Sequence, residues 1–220
     1  MLRGKALVAY KQNLVLQPQQ HHLIIGSILG DSCLRLPGRS HHANLTIEHG
    51  DEQKEYVEWK YEVLREWVLT SPKQVSRLYH KDRTRHLVSW RFLTITHAAL
   101  TYYYNLFYPN KTKIIPPNIT ELLTHPLALA VWLMDDGSKN KDVLFLSTQN
   151  FVKQEQELLQ QCLWDNFQID STLNFYSYSK DKKLYRIRLT RNGSQKACQI
   201  VMQYVIPSLR YKFQLYPCND

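Results

Sequence analysis

Two stretches, LIIGSILGDS at residues 23–32 and LALAVWLMDDGS at residues 127–138, decide how this chain is read. Each is an apolar, helix-like run that closes on an aspartate, Asp31 or Asp136, followed by a small residue, Ser32 or Gly137. Gly26 and Gly30 lie four apart, on one face of the first helix, where missing side chains let another backbone approach closely. The corresponding face of the second helix carries Val131 and Asp135. Helices packed along those faces would bring Asp31 and Asp136 together at their C-terminal ends. Carboxylates there oppose the helix macrodipoles and repel each other. A divalent cation removes both objections, and oxygen ligands suit magnesium.

Outward from these stretches, the chain repeats itself. After a helix over 18–30, strands are expected at 33–36 and 43–48, then a helix over 51–69 whose apolar face is Tyr56, Val57, Trp59, Val63, Leu64, Trp67 and Val68. Strands at 75–80 and 86–94 enclose the charged turn Lys81-Asp82-Arg83, and a helix over 97–107 stops before Pro109. The second half gives a helix over 126–135 capped by Thr124, a strand at 143–147, and a helix over 151–164 capped by Asn150. Strands at 172–178 and 184–190 enclose Lys180-Asp181-Lys182, and a last helix over 194–205 stops before Pro207. The order predicts an internal duplication: a first unit over 1–115, with 1–16 as an N-terminal extension, and a second over 116–220, parted near Pro116-Pro117.

Charge narrows the partner. Lysine plus arginine exceed the acids by 28 − 19 = 9 among 220 residues. Residues 71–91 hold six basic side chains against Asp82, and 177–196 hold seven against Asp181, so these two windows outweigh the whole net charge. Both fall on strand-like sequence, which points to a polyanion, because phosphate neutralisation supplies most non-specific nucleic-acid affinity. By contrast 48–66 carries seven acids against three bases and is expected to be a solvated helix face. Four scattered cysteines without a CxxC pair argue against a zinc ribbon or a disulfide framework. The longest apolar run, Leu127 to Met134, is too short to cross a bilayer.

With these features in view, the two stretches resemble the paired motifs of the LAGLIDADG homing endonucleases, in their single-chain, double-motif branch. Leu129, Ala130, Leu133, Asp136 and Gly137 carry the match in the second copy. The first keeps Gly26, Ile28 and Asp31, with Ser32 in the place of the last glycine. The resemblance implies an α/β (α+β) fold of two pseudo-symmetric αββαββα units joined at a central two-helix interface, each presenting an antiparallel DNA-binding saddle. It implies that each motif aspartate serves one strand cut, with Asp31 and Asp136 catalytic and metal-binding and backbone oxygens of Gly30 and Asp135 as further ligands. Lys113, in KIIPPN, and Lys212, in IPSLRYKF, match the basic residues that complete such sites. Glu48 and Gln149, expected to end the second strand of each unit, are candidates to hold water or metal.

The implied cofactor is Mg²⁺, with Mn²⁺ able to substitute and Ca²⁺ binding without supporting cleavage. The implied partner is double-stranded DNA with a long, asymmetric target site, met by a monomer with no membrane and no obligate protein partner. Strand alternation puts Arg186 and Arg188 on one face and Ile187 and Leu189 on the other. With Arg191, Lys139, Lys180 and Lys182 they form the DNA-binding set of the second unit. Arg35, Arg39, Arg77, Arg83, Arg85 and Arg91 form that of the first. Such enzymes are encoded in organellar introns, chloroplast or mitochondrial, and no transit peptide is evident here. Two rivals share the fold: an RNA-binding intron maturase and a DNA-binding protein that does not cut.

Overall fold

The computed structural model describes residues 3–38, 40–79, 82–180 and 182–215, without the side chains of Asp82, Arg83 and Arg85. The expected Arg39 contact therefore lies outside the described residues, as do both charged turns in part. The chain divides into two compact units, Met1–Leu106 and Phe107–Asp220, where the sequence placed the boundary at 115/116.

The first unit contains α1 (Gly4–Gln12), α2 (Pro18–Leu29), β1 (Cys33–Arg35), β2 (Asn44–Gly50), α3 (Lys54–Val63), β3 (Lys73–Tyr79), β4 (Asp82–Leu93) and α4 (Ala98–Phe107), which runs one residue past it. The second contains α5 (Ile119–Leu122), α6 (Pro126–Asp136), β5 (Gly137–Asn140), β6 (Val143–Leu146), α7 (Lys153–Phe167), β7 (Ser171–Ser179), β8 (Lys182–Leu189) and α8 (Arg191–Val201). Two four-stranded sheets result, with orders β1-β2-β4-β3 and β5-β6-β8-β7, and every pairing is antiparallel. The duplication expected from the sequence is thus present in identical topology.

Each sheet has one apolar face. In the first, Leu34, Leu45, Ile47 and Phe92 pack in a core with α2, Tyr56, Val57 and Trp67. In the second, Leu144, Leu146, Ile187 and Leu189 are buried with Leu159, Leu163, Ala197 and Val201. Helix α6 is apolar on every side, and each residue from Leu127 to Met134 is buried. The start of α2 is held by Gln20, a buried side chain that accepts from Gln17 N and Trp67 Nε1 and donates to Val63 O.

Several expectations need correction. The helix over 51–69 is broken: α3 ends at Val63 and the 3₁₀ turn Arg65–Trp67 follows. The cap of α6 is His125, not Thr124; its Nδ1 accepts from Leu127 N at 3.1 Å. Pro126 occupies the first helical position, which fixes the cap at the residue before it. Helix α7 is closed by Glu155 reaching back to Val152 N at 2.9 Å, rather than by Asn150. Strand β5 was not expected at all, because Gly-Ser-Lys-Asn has no strand propensity and is extended only through its pairing with β6. The extension at the N-terminus forms α1, which docks on its own unit through Tyr10 Oη to Glu66 O and Lys11 Nζ to Thr96 Oγ1.

Candidate active site and nucleic-acid interface

The two motif aspartates end their helices differently. Helix α2 stops at Leu29, Gly30 is its cap, and Asp31 lies just beyond, its side chain 48% exposed. Helix α6 runs through Asp136 itself. There the chain must turn at once into β5, and a Cβ on Gly137 would overlap the Leu133 carbonyl oxygen. Only glycine fits that corner, which explains the residue after the second aspartate. Ser32 takes the corresponding place in the first unit, where its N–H donates to Ser27 O at 2.9 Å.

Around Asp31 the first unit forms an open depression of about 390 Å³, lined by Cys33, Arg35, Thr46, Glu48, His49, Gly50 and Ser89. Its floor is the polar face of the sheet, since the register pairs Cys33 with Thr46, Glu48 with Arg91 and Gly50 with Ser89. Glu48 is engaged by two guanidinium nitrogens of Arg77 and by Ser89 Oγ, with Arg91 4.0 Å away. The Arg77 hydrogen bonds, helped by Ser89 and the arginine charges, hold its carboxyl below its ordinary value against the opposing pull of burial. Glu48 lies inside β2 rather than at its end, and both of its oxygens serve protein donors.

In the second unit Lys212, in the 3₁₀ turn Pro207–Phe213, donates to Met134 O at 2.5 Å and approaches Asp135 O at 3.4 Å. This puts a positive charge at the negative end of α6, on the carbonyls of the two residues before Asp136. The Asp136 carbonyl accepts from Ser147 N at 3.2 Å. Gln149 sits in the turn two residues further on, past the end of β6, and its Oε1 is buried with no donor among the described residues. A bound water or ion would relieve that atom. Lys113 is half-buried, with Nζ 5.7 Å from the Phe151 ring centre, near the outer limit of a cation–π contact.

Alternation along β8 is as expected: Ile187 and Leu189 are fully buried, while Arg186 and Arg188 face the other way. Arg186 is held between two rings, 4.1 Å from the centre of Phe145 and 5.3 Å from that of Tyr176. Sequence reading missed this clamp, although Phe145 and Tyr176 were the signal. Arg191 does not lie on the strand; it opens α8 and pairs with Asp142 at 3.1 Å. Lys139 reaches Gln214 O at 2.9 Å. Lys180 and Lys182 are exposed at the β7–β8 turn. In the first unit Arg35 and Arg77 are exposed and Arg91 is half-buried. Burial pushes the Cys162 and Cys198 thiols up to about 12 and about 11, which keeps both protonated near neutral pH. No helix of the described residues is long and apolar enough to cross a membrane.

Two units of one topology, each setting a carboxylate at the end of an apolar helix beside an arginine-bearing antiparallel sheet, form a scaffold suited to a long polyanion. The chain belongs to the LAGLIDADG DNA endonuclease family, whose model matches residues 21–197. It is 31% identical over 210 residues to the probable intron-encoded endonuclease 1 of Wickerhamomyces canadensis, covering 92% of this chain and 87% of that one. It is 26% identical to the DNA endonuclease I-ChuI of Chlamydomonas applanata, over 90% of this chain and 95% of the relative. A cytochrome b mRNA maturase, bI2 of Debaryomyces hansenii, is 25% identical over 93% of this chain and 77% of its own length. Among solved structures, the homing endonuclease I-WcaI bound to its DNA recognition sequence matches with a TM-score of 0.86 and 28% identity, over 98% of this chain and 95% of that chain.

Proposed function

We propose that the protein is a site-specific homing endonuclease that hydrolyses both strands of a long, asymmetric duplex site with divalent metal, magnesium first. It acts as a monomer and promotes the mobility of an organellar intron that encodes it. One observation carries the reading: a motif-helix aspartate is repeated in two units of identical topology, each next to a sheet face bearing arginines.

The donors at each helix end suit a hard cation: Asp31 with Gly30, and Asp136 with Asp135, offer carboxylate and backbone oxygens. The bound ion supplies charge neutralisation at the phosphoryl group and a more acidic water. Asp31 and Asp136 would hold such ions, one carboxylate at the end of each motif helix. Lys113 and Lys212 polarise the attacking water or stabilise the negative charge that grows on oxygen. Arg77, Arg91, Arg186 and Arg188 hold the duplex, reading base edges in the major groove or binding phosphates. The cut falls across the minor groove, where phosphates of opposite strands are nearest and offset toward the 3′ side, so it leaves 3′ overhangs.

The test is selection of cleaved sites from a randomised duplex library with magnesium, followed by mapping of both cut strands. Asp31→Asn and Asp136→Asn should each abolish double-strand cleavage and leave metal-free binding intact or stronger. Full cleavage by either variant, or blunt or 5′-extended ends, would sink the assignment. Tight RNA binding with no cut in any duplex would favour the maturase function named for the Debaryomyces relative.

A further inference from the structure

Lys60 is a core residue. It shares the buried face of α3 with Tyr56 and Val57, and none of its surface is exposed. A buried ammonium is costly unless acceptors and compensating charge meet it. Its Nζ lies 3.1 Å from His49 Nε2 and 4.3 Å from the centre of the Tyr56 ring. The other ring nitrogen, His49 Nδ1, is 3.6 Å from Asp31 Oδ2, and the His49 side chain is only 1% exposed. A row of three groups therefore runs from the core of the first unit to its motif carboxylate.

With Lys60 charged, as a lysine is in its ordinary state, the row takes one arrangement of protons. An ammonium donates and a carboxylate accepts. Both neighbours demand the same histidine tautomer, with Nε2 accepting from Lys60 and the ring proton on Nδ1, toward Asp31. At 3.6 Å this is an electrostatic contact, longer than a hydrogen bond. It still favours one orientation of a carboxylate that is otherwise half in solvent.

The second unit is built differently at the matching place. Thr148 follows Leu144 and Leu146 in the same buried alternation in which His49 follows Leu45 and Ile47. Thr148 Oγ1 donates to Gln156 Oε1 and accepts from Ile187 N, each at 3.0 Å. Gln156 completes its bonding on the carbonyls of Phe151 and Tyr185, each at 3.1 Å. This pair is neutral and spends its bonds on backbone.

We infer that Lys60 is a positioning residue for one of the two cuts: through the fixed tautomer of His49 it orients Asp31, and it leaves the cut served by Asp136 alone. The inference rests on the nuclease function proposed above. The experiment follows each labelled strand separately, with the full chain and the duplex site selected with magnesium. Lys60→Met keeps the volume and suits a buried site. It should slow one strand's cut by about 10- to 100-fold, the usual cost of losing such an outer partner, with the other strand's rate unchanged as an internal control for folding and binding. His49→Gln, whose amide can accept from Lys60 and donate toward Asp31, should keep more of the affected rate than His49→Leu. Nitrogen-15 shifts of His49 should show the Nδ1–H tautomer in the parent protein and its loss in Lys60→Met. Equal slowing of both strands, no slowing, or the Nε2–H tautomer in the parent would overturn the inference while leaving the nuclease standing. A parent protein that cuts no duplex at all would remove the nuclease and this inference with it.

Discussion

The Lys212 ammonium donates to the carbonyl of Met134 at 2.5 Å, tying the 3₁₀ turn Pro207–Phe213 to the last turn of α6. A cation at a helix C-terminus stabilises by about 0.3–1 kcal/mol, so the bond has a modest structural worth. On the function proposed above, the same charge serves the cut assigned to Asp136, whose helix end it meets at Met134 and Asp135. Lys212→Met should therefore shift the unfolding midpoint only slightly, yet slow cleavage by on the order of 100-fold. Thermal melts and single-turnover cleavage on the same preparation separate the two effects. A large loss of stability with proportionate loss of rate would reduce Lys212 to a cap.

Glu48 and Arg77 give a pH signature. The Glu48 pKa is lowered in the folded protein, chiefly by the Arg77 hydrogen bonds, from an ordinary value of 4.5. A lowered acid pKa contributes stability above that ordinary value and loses it as pH falls through the folded one. Stability should then drop below about pH 4.5 by a small amount that Glu48→Gln removes, small because solvent screens so exposed a pair. Urea midpoints measured from pH 3 to 7, to about half a unit, would check this. Parallel pH profiles for parent and variant would contradict it.

Arg186 should read or hold DNA as a preset group. The Phe145 and Tyr176 rings restrict its guanidinium, so less freedom is lost on binding. Arg186→Met should cost about 1–3 kcal/mol and, where it reads a base, relax specificity at one position. Phe145→Leu should give part of that loss without removing a charge. Binding to single-base variants of the selected site decides it, and unchanged affinity for all of them would place Arg186 off the duplex.

Salt should act strongly. The two basic windows together carry thirteen cationic side chains against two acids. With about 6 to 10 phosphates met, the slope of log affinity against log salt should be on the order of −5 to −9. A slope shallower than about −2 would mean that the arginine-bearing sheet faces are not the DNA surface.

Gly137→Ala should be among the more damaging single changes. The added Cβ meets the Leu133 carbonyl, which α6 holds rigid, and overpacking of that kind costs about 1–3 kcal/mol. Ser32→Gly in the first unit should stay within about 1 kcal/mol, the backbone-entropy cost of a glycine. Denaturant midpoints of the two variants compare the corners directly.

The sequence by itself determined the duplication, the two motif helices, the antiparallel hairpins and the separation of Arg186 and Arg188 from Ile187 and Leu189. These rest on local periodicity and on breakers such as Pro109, which act through neighbours in the chain. Tertiary structure alone decided the rest. Strand β5 exists because β6 pairs with it, and no propensity in Gly137–Asn140 announces it. Lys60 looked like part of a solvated acidic face and is instead fully buried, because His49, eleven positions away, supplies its acceptor. Glu48 accepts from Arg77 and Ser89, which only the sheet register brings to it. Periodicity reports which side of an element meets the core, whereas the partner of a polar group is set by contacts between residues distant in the chain.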